Sequence, residues 1–156
     1  RPPHSSLHYN VHYHLGLALF LCGDFDLAER AWLDCLAVVA NDESRVAVTH
    51  WLWCVKMRRG DRAGAAAVVA TIRPDMDVVD NRGYLQLCLV YAGRLQREDV
   101  VPPKGSAGAA LAFGLAHHAL MTGDLVQARR DFEALARSDG WTAFGVIAAE
   151  ADLARM

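Results

Sequence analysis

Seven histidines are spread unevenly over the 156 residues. Imidazole is the side chain whose ordinary titration falls near neutral pH, so these positions come first. His4, His8, His12 and His14 crowd the start, with Tyr9 and Tyr13 between them. His8 and His12 stand four apart, so on a helix both can reach one metal ion. No Asp or Glu of that stretch supplies a third ligand or a base, and no metal is expected. His50 lies in the run Thr49-His50-Trp51-Leu52-Trp53. A histidine in an aromatic, partly dry groove can serve as general acid or base, with Tyr13, His117 or Glu150 completing the site. The competing expectation is a satisfied histidine in a helix seam. His117 and His118 are adjacent, so on a helix they face different directions and do not form a two-ligand clamp.

Other chemistries find less support. Asp75, Asp77 and Asp80 suggest calcium, but the glycine and distal Glu of a calcium loop are missing. They read instead as turn residues and a cap for the helix after Asn81. There is no Walker glycine loop, no GxSxG and no dinucleotide fingerprint, so no cofactor is expected. Cys22, Cys35, Cys54 and Cys88 are widely spaced among apolar neighbours, without CxxC or zinc spacing. They read as buried free thiols, which favours a reducing compartment and a cytoplasmic location.

Composition sets the class. Hydrophobic residues make up 53% and charged residues 22%, enough apolar content for a continuous core and too much for a disordered chain. A net charge of −2 argues against nucleic acid as a partner. The small basic group Lys56, Arg58, Arg59 reads as a helix C-terminus complementing its dipole. No apolar run approaches the ~20 residues that span a bilayer, so no membrane partner is expected. The opening Arg1-Pro2-Pro3-His4, without Met, is expected of a processed or trimmed chain, which leaves open whether a signal peptide once preceded it.

The elements that must position these side chains are helical. Leu7 to Cys22 reads as a helix, Gly23-Asp24-Phe25 as a turn, and Phe25 to about Val39 as a second helix, with Asp24 or Asp26 as its cap. The order His12-x2-Leu15-Gly16-x2-Leu19, Gly23-Asp24, Ala28-x3-Trp32 then recurs. Gly60-Asp61 with Ala65-x3-Val69 repeats it 37 residues on, with Trp53 where Gly16 stood; a Trp there is expected to splay that pair of helices. A third copy reads Ala112-x2-Leu115-Ala116-x2-Ala119, Gly123-Asp124-Leu125, Ala128-x3-Phe132. Between them, Pro74 stops the pattern, 80–101 holds one helix without a true partner, and Pro102-Pro103-Lys104-Gly105 is a breaker. Trp141-x2-Phe144-Gly145-x2-Ala148 begins a terminal helix over 141–155.

This pattern resembles the tetratricopeptide repeat (TPR), a helix-turn-helix unit of about 34 residues. The resemblance implies an all-α fold: one α-solenoid domain over 1–156, with hairpins at about 7–40, 43–73, 80–101 (degenerate) and 107–138, and the terminal helix. Inner-face positions carried over from the family are Asn10, Tyr13, Leu17 and Phe20 from the first repeat. The second gives Ala47, His50, Cys54 and Met57, and the third Ala110, Phe113, His117 and Leu120. The groove so implied is apolar and aromatic. It lacks the Lys and Arg with which some members grip a C-terminal carboxylate, and it suits a hydrophobic peptide, a helix or a small molecule. The expected function is therefore a non-catalytic scaffold that binds a protein or peptide. The alternative is a small-molecule or catalytic pocket in the same groove, using His50 and Tyr13 with His117. The apolar end near Trp141 further suggests a homo-oligomer.

Overall fold

The computed structural model describes residues 5–103 and 105–156, apart from the side chains of 106 and 107. Among the described residues the fold is all-helical, with no strand. The chain divides into two compact units, Arg1–Arg94 and Leu95–Met156.

The first unit holds α1 (Leu7–Cys22), α2 (Phe25–Ala37), α3 (Asp42–Arg58), α4 (Arg62–Ala70) and α5 (Arg82–Tyr91). Packing runs α1 on α2, α2 on α3, α3 on α4, and α5 against α3 and α4. The second unit holds a 3-10 turn (Arg97–Asp99), then α6 (Ser106–Thr122), α7 (Leu125–Ala136) and α8 (Phe144–Arg155), each of the three helices packing on the other two.

One device ends three of the first helices and starts their partners. Gly23, Gly60 and Gly123 adopt φ of 82°, 77° and 96°, the left-handed region that glycine enters without a Cβ penalty. In each turn the glycine N–H and the following Asp N–H donate back to the closing helix: Gly23 to Phe20 O and Asp24 to Leu19 O, Gly60 to Met57 O and Asp61 to Lys56 O, Gly123 to Leu120 O and Asp124 to Ala119 O. This is the paired Schellman closure. Asp61 and Asp124 also cap the next helix, accepting from Gly64 N at 2.9 Å and Gln127 N at 3.1 Å. Asp24 occupies the same place without a side-chain cap bond. Gly93 closes α5 the same way, but Arg94 follows instead of Asp and no helix begins. Arg94 turns back to donate to Ile72 O at 2.5 Å, over the end of α4.

The core of the first unit is aromatic. Trp32 is fully buried, its ring stacked with that of Trp51 at 5.6 Å and tilted against Phe20 at 5.9 Å. Gly16 is the socket for this ring: a Cβ there would sit 2.3 Å from Trp32 Nε1. The bare backbone lets the indole N–H reach the Tyr13 carbonyl at 3.2 Å. Trp53, at the equivalent position of the second hairpin, stacks on Tyr91 of α5 with ring centroids 3.7 Å apart and nearly parallel planes. The bulk that was expected to splay α3 from α4 is thus taken up against α5. In the second unit Phe132 packs on Phe113 at 5.8 Å, and Gly145 brings α8 to within van der Waals reach of the α6 backbone at Ala109.

Several boundaries differ from the sequence reading. α2 stops at Ala37 rather than near Val39, because Val38 and Val39 turn back through Val38 N to Cys35 O and Val39 N to Leu36 O. The last helix begins at Phe144, leaving Trp141 in the preceding turn and 75% exposed. The basic group at the end of α3 does more than complement a dipole. Lys56 Nζ lies 2.5 Å from Glu29 of α2 and 3.1 Å from Asp61, while Arg59 pairs with Asp26 and Glu29 of α2. Arg58 lies over the Phe25 ring. Of the four thiols, Cys35, Cys54 and Cys88 are buried as expected, but Cys22 is exposed, since it lies on the outer side of α1.

No local signal marked the anchor of the segment before α5. Glu43, buried on α3, accepts from three successive backbone amides, Val79 N (2.5 Å), Asp80 N (2.9 Å) and Asn81 N (2.9 Å). Asn81 Nδ2 returns a bond to the Glu43 carbonyl at 3.0 Å. The carboxylate therefore does the capping that was expected of the Asp residues. Glu43→Ala should lower the stability of the unit by about 2–3 kcal/mol, the scale of losing bonds to a charged acceptor, and Glu43→Gln by about half that. Urea unfolding together with faster hydrogen exchange confined to Val79, Asp80 and Asn81 would show it.

Candidate functional site

Two places in the molecule gather polar chemistry against apolar walls. The first is the one the sequence pointed to. α3 carries His50 inward, where it is completely buried. Its ring lies edge-on to Trp51 at 4.6 Å, and the rings of Tyr84 and Tyr91 from α5 lie at 5.1 and 5.9 Å. Nδ1 is 3.0 Å from the Tyr91 hydroxyl, and both ring nitrogens are 3.9 Å from Cys54 Sγ, one turn along α3. Tyr13 of α1 joins from the other side: its hydroxyl accepts from Trp51 Nε1 at 2.9 Å and is bonded to Tyr84. Tyr9 stacks on Tyr13 at 5.5 Å.

Burial decides what this group can do. It pushes the His50 pKa down to about 3, because the charged ring would lose its hydration with no charged partner in return. It pushes the phenols of Tyr13, Tyr84 and Tyr91 up, again chiefly through lost hydration. Near neutral pH the imidazole is neutral and the phenols are protonated. Such groups donate and accept hydrogen bonds but do not exchange protons readily, since a useful acid or base has its pKa near the working pH. The Cys35 thiol is likewise pushed up to about 12 by burial, and Cys88 is raised for the same reason, so neither is a nucleophile at neutral pH.

The nine residues assigned to the groove divide between the units. In the first, Asn10, Tyr13 and Met57 are half-buried, while Leu17, Phe20, His50 and Cys54 are buried. In the second, Phe113 and His117 are buried, their rings 5.6 Å apart. Ala47 is buried as well, and Ala110 and Leu120 are half-buried. Five of the nine, Phe20, His50, Cys54, Phe113 and His117, are thus wholly enclosed by packing. Of the further catalytic candidates, Glu150 is exposed on α8. Among the described residues no three His, Cys, Asp or Glu side chains converge as metal ligands; His8 is exposed and His12 half-buried.

The second place escaped the sequence reading. Within the second unit a cleft of about 840 Å³ lies between α6, α7, Arg97, the Pro102–Pro103 pair and the turn after α7. Pro102, Pro103, Ala109, Ala112, Leu115 and Leu135 give it an apolar wall. A polar chain crosses it: Gln127 Nε2 donates to Asp131 Oδ1 at 2.7 Å, and Arg97 Nη2 to Asp131 Oδ2 at 2.6 Å. Arg97 Nε is buried and has no hydrogen-bond partner among the described residues. The charges of Arg97, Arg137, Asp131 and Asp139 around the rim cancel. Nothing in the composition of the stretch before α6 showed that Arg97, Pro102 and Pro103 would line a cleft with α6 and α7. Among the described residues no helix is long and apolar enough to cross a membrane. No protein family, curated protein or solved structure matches the chain.

Proposed function

We propose that this chain is a TPR-like binding module that takes up an apolar peptide segment of a protein partner, with the cleft of the second unit as its seat. The observation that carries this reading is the cleft itself. Its volume falls in the range of ligand sites, about 300–1,000 Å³, and its apolar wall faces a few oriented polar groups. The charges of the described lining residues cancel, so selection rests on apolar side chains, with Arg97 Nε and the Gln127–Asp131 pair placed for peptide groups. The repeated glycine-aspartate closures support a helical-repeat scaffold, as the resemblance implied. A catalytic reading built on His50 and Tyr13 gains no support from a neutral, enclosed imidazole, and no cofactor is invoked.

Selection from a phage-displayed peptide library tests this. Enriched sequences should be rich in apolar side chains, and Ala112→Trp, which fills the cleft from the half-buried face of α6, should weaken them at least tenfold at unchanged melting temperature. Peptides that bind the Ala112→Trp protein equally well would remove the cleft from the account. A selection that enriches nothing would remove the binding module.

A further inference from the structure

α1 carries no charged residue and shows an apolar stripe to solvent. Leu7, Val11 and Leu15 are 77%, 55% and 48% exposed, and Ala18 and Cys22 continue the line along the helix. At 100° per residue these five positions lie within about 80° of arc, with His14 at the edge.

The repeat inside the chain shows what such a stripe is for. Moved on by the 37 residues that separate Gly23 from Gly60, it becomes Ser44, Val48, Leu52, Val55 and Arg59 of the second hairpin. Ser44, Val48, Leu52 and Val55 are buried, and Arg59 pairs with Asp26 and Glu29, which identifies the covering helix as α2. α2 runs antiparallel to α3, being joined to it by the short link 38–41. On α1 the same face is exposed among the described residues.

We infer that this face is a self-association surface, on which α1 of a second copy packs antiparallel across a two-fold axis passing between His14 and Leu15. Three features select a second copy as occupant. The face is uncharged, so a like face brings no unpaired charge into the contact. Large residues occupy its N-terminal half and small ones its C-terminal half. An antiparallel pairing about that axis sets Leu7 against Cys22 of the other copy and Val11 against Ala18, large against small, with His14 meeting Leu15 at the axis. It also reproduces the antiparallel placing of α2 on α3. The pairing is isologous and closes as a dimer. Since α1 is only about 24 Å long at 1.5 Å per residue, the contact is small and the dimer should depend on concentration.

The test uses Cys22, an exposed thiol already in place. With a short bis-maleimide, Leu7→Cys should cross-link efficiently to Cys22 of the partner. The unaltered protein should not cross-link, because the two Cys22 residues would lie about 20 Å apart along the paired helices. Leu15→Cys in a Cys22→Ser background should cross-link to itself, and Leu15→Lys should weaken the dimer at least tenfold in sedimentation velocity. All substitutions are at exposed positions, and circular dichroism verifies folding. The inference is overturned if the protein sediments as a monomer at every concentration and Leu7→Cys cross-links no faster than Arg30→Cys on exposed α2 surface. It is overturned equally by efficient Cys22-to-Cys22 linkage, which means a parallel pairing. Neither result bears on peptide uptake in the cleft, which Ala112→Trp reports.

Discussion

Trp32→Ala should cost the first unit about 3–5 kcal/mol, the upper end of what single truncations remove from a core. The ring is fully buried and is the shared contact of three helices: Phe20 of α1 and Trp51 of α3 both pack on it, and its N–H is bonded to the Tyr13 carbonyl. Truncation leaves a cavity that cannot collapse, because Gly16 beneath it has no side chain to move in. Against a total stability of roughly 5–15 kcal/mol, the variant should be marginal or unfolded at 37 °C. Gly16→Ala attacks the same contact from the other side. The new Cβ would sit 2.3 Å from Trp32 Nε1, and the ring, held between Phe20 and Trp51, has little room to retreat. A cost of about 1–3 kcal/mol is expected. The two changes share one contact, so Gly16→Ala with Trp32→Phe should cost less than the sum of the single changes. Urea unfolding followed by circular dichroism reads all of these. Additive costs would mean that the ring does not rest on Gly16.

That contact was legible from residue order, because a small residue in one helix facing an Ala-x3-Trp in the next is local information. So were the glycine-aspartate turns, where the chain reverses within a few residues and glycine alone takes the required φ without strain. What was not legible depends on distant partners. Nothing near Glu43 announces that its carboxylate will hold the amides of Val79, Asp80 and Asn81. Lys56 and Arg59 look like dipole partners until α2 brings Glu29 and Asp26 beside them. His50 shows the same limit within the candidate site. The repeat resemblance put it on an inner face, but whether that face is open or enclosed was decided by Tyr84 and Tyr91, 34 and 41 residues further on. The cleft of the second unit was invisible because Arg97, Pro102 and Pro103, which close it against α6 and α7, lie in a stretch with no period at all.

The enclosure of His50 has a consequence for acid stability. In the unfolded chain its imidazole takes up a proton near pH 6.5, and in the folded chain burial delays this to about pH 3. Between those values the unfolded state binds more protons, so stability rises with pH and is lost as the pH falls. The loss should begin just below pH 6.5, approach about 1.4 kcal/mol per pH unit, and level off near pH 3 at roughly 5 kcal/mol in all. Half-buried His118 shifts in the same direction, through lost hydration and then the charge of Arg97, and carboxylates titrate further down. The comparison must therefore be a difference. His50→Gln, which can still bond the Tyr91 hydroxyl, should start less stable but have a flatter acid limb from about pH 6.5 to pH 4, where carboxylates contribute equally to both proteins. In NMR, one histidine resonance that is missing from His50→Gln should stay unmoved from about pH 7 to pH 4.5. If that resonance titrated near pH 6.5, water would reach the ring. His50 would then be an accessible wall with a proton to exchange near neutrality, and the acid–base reading would regain its physical basis.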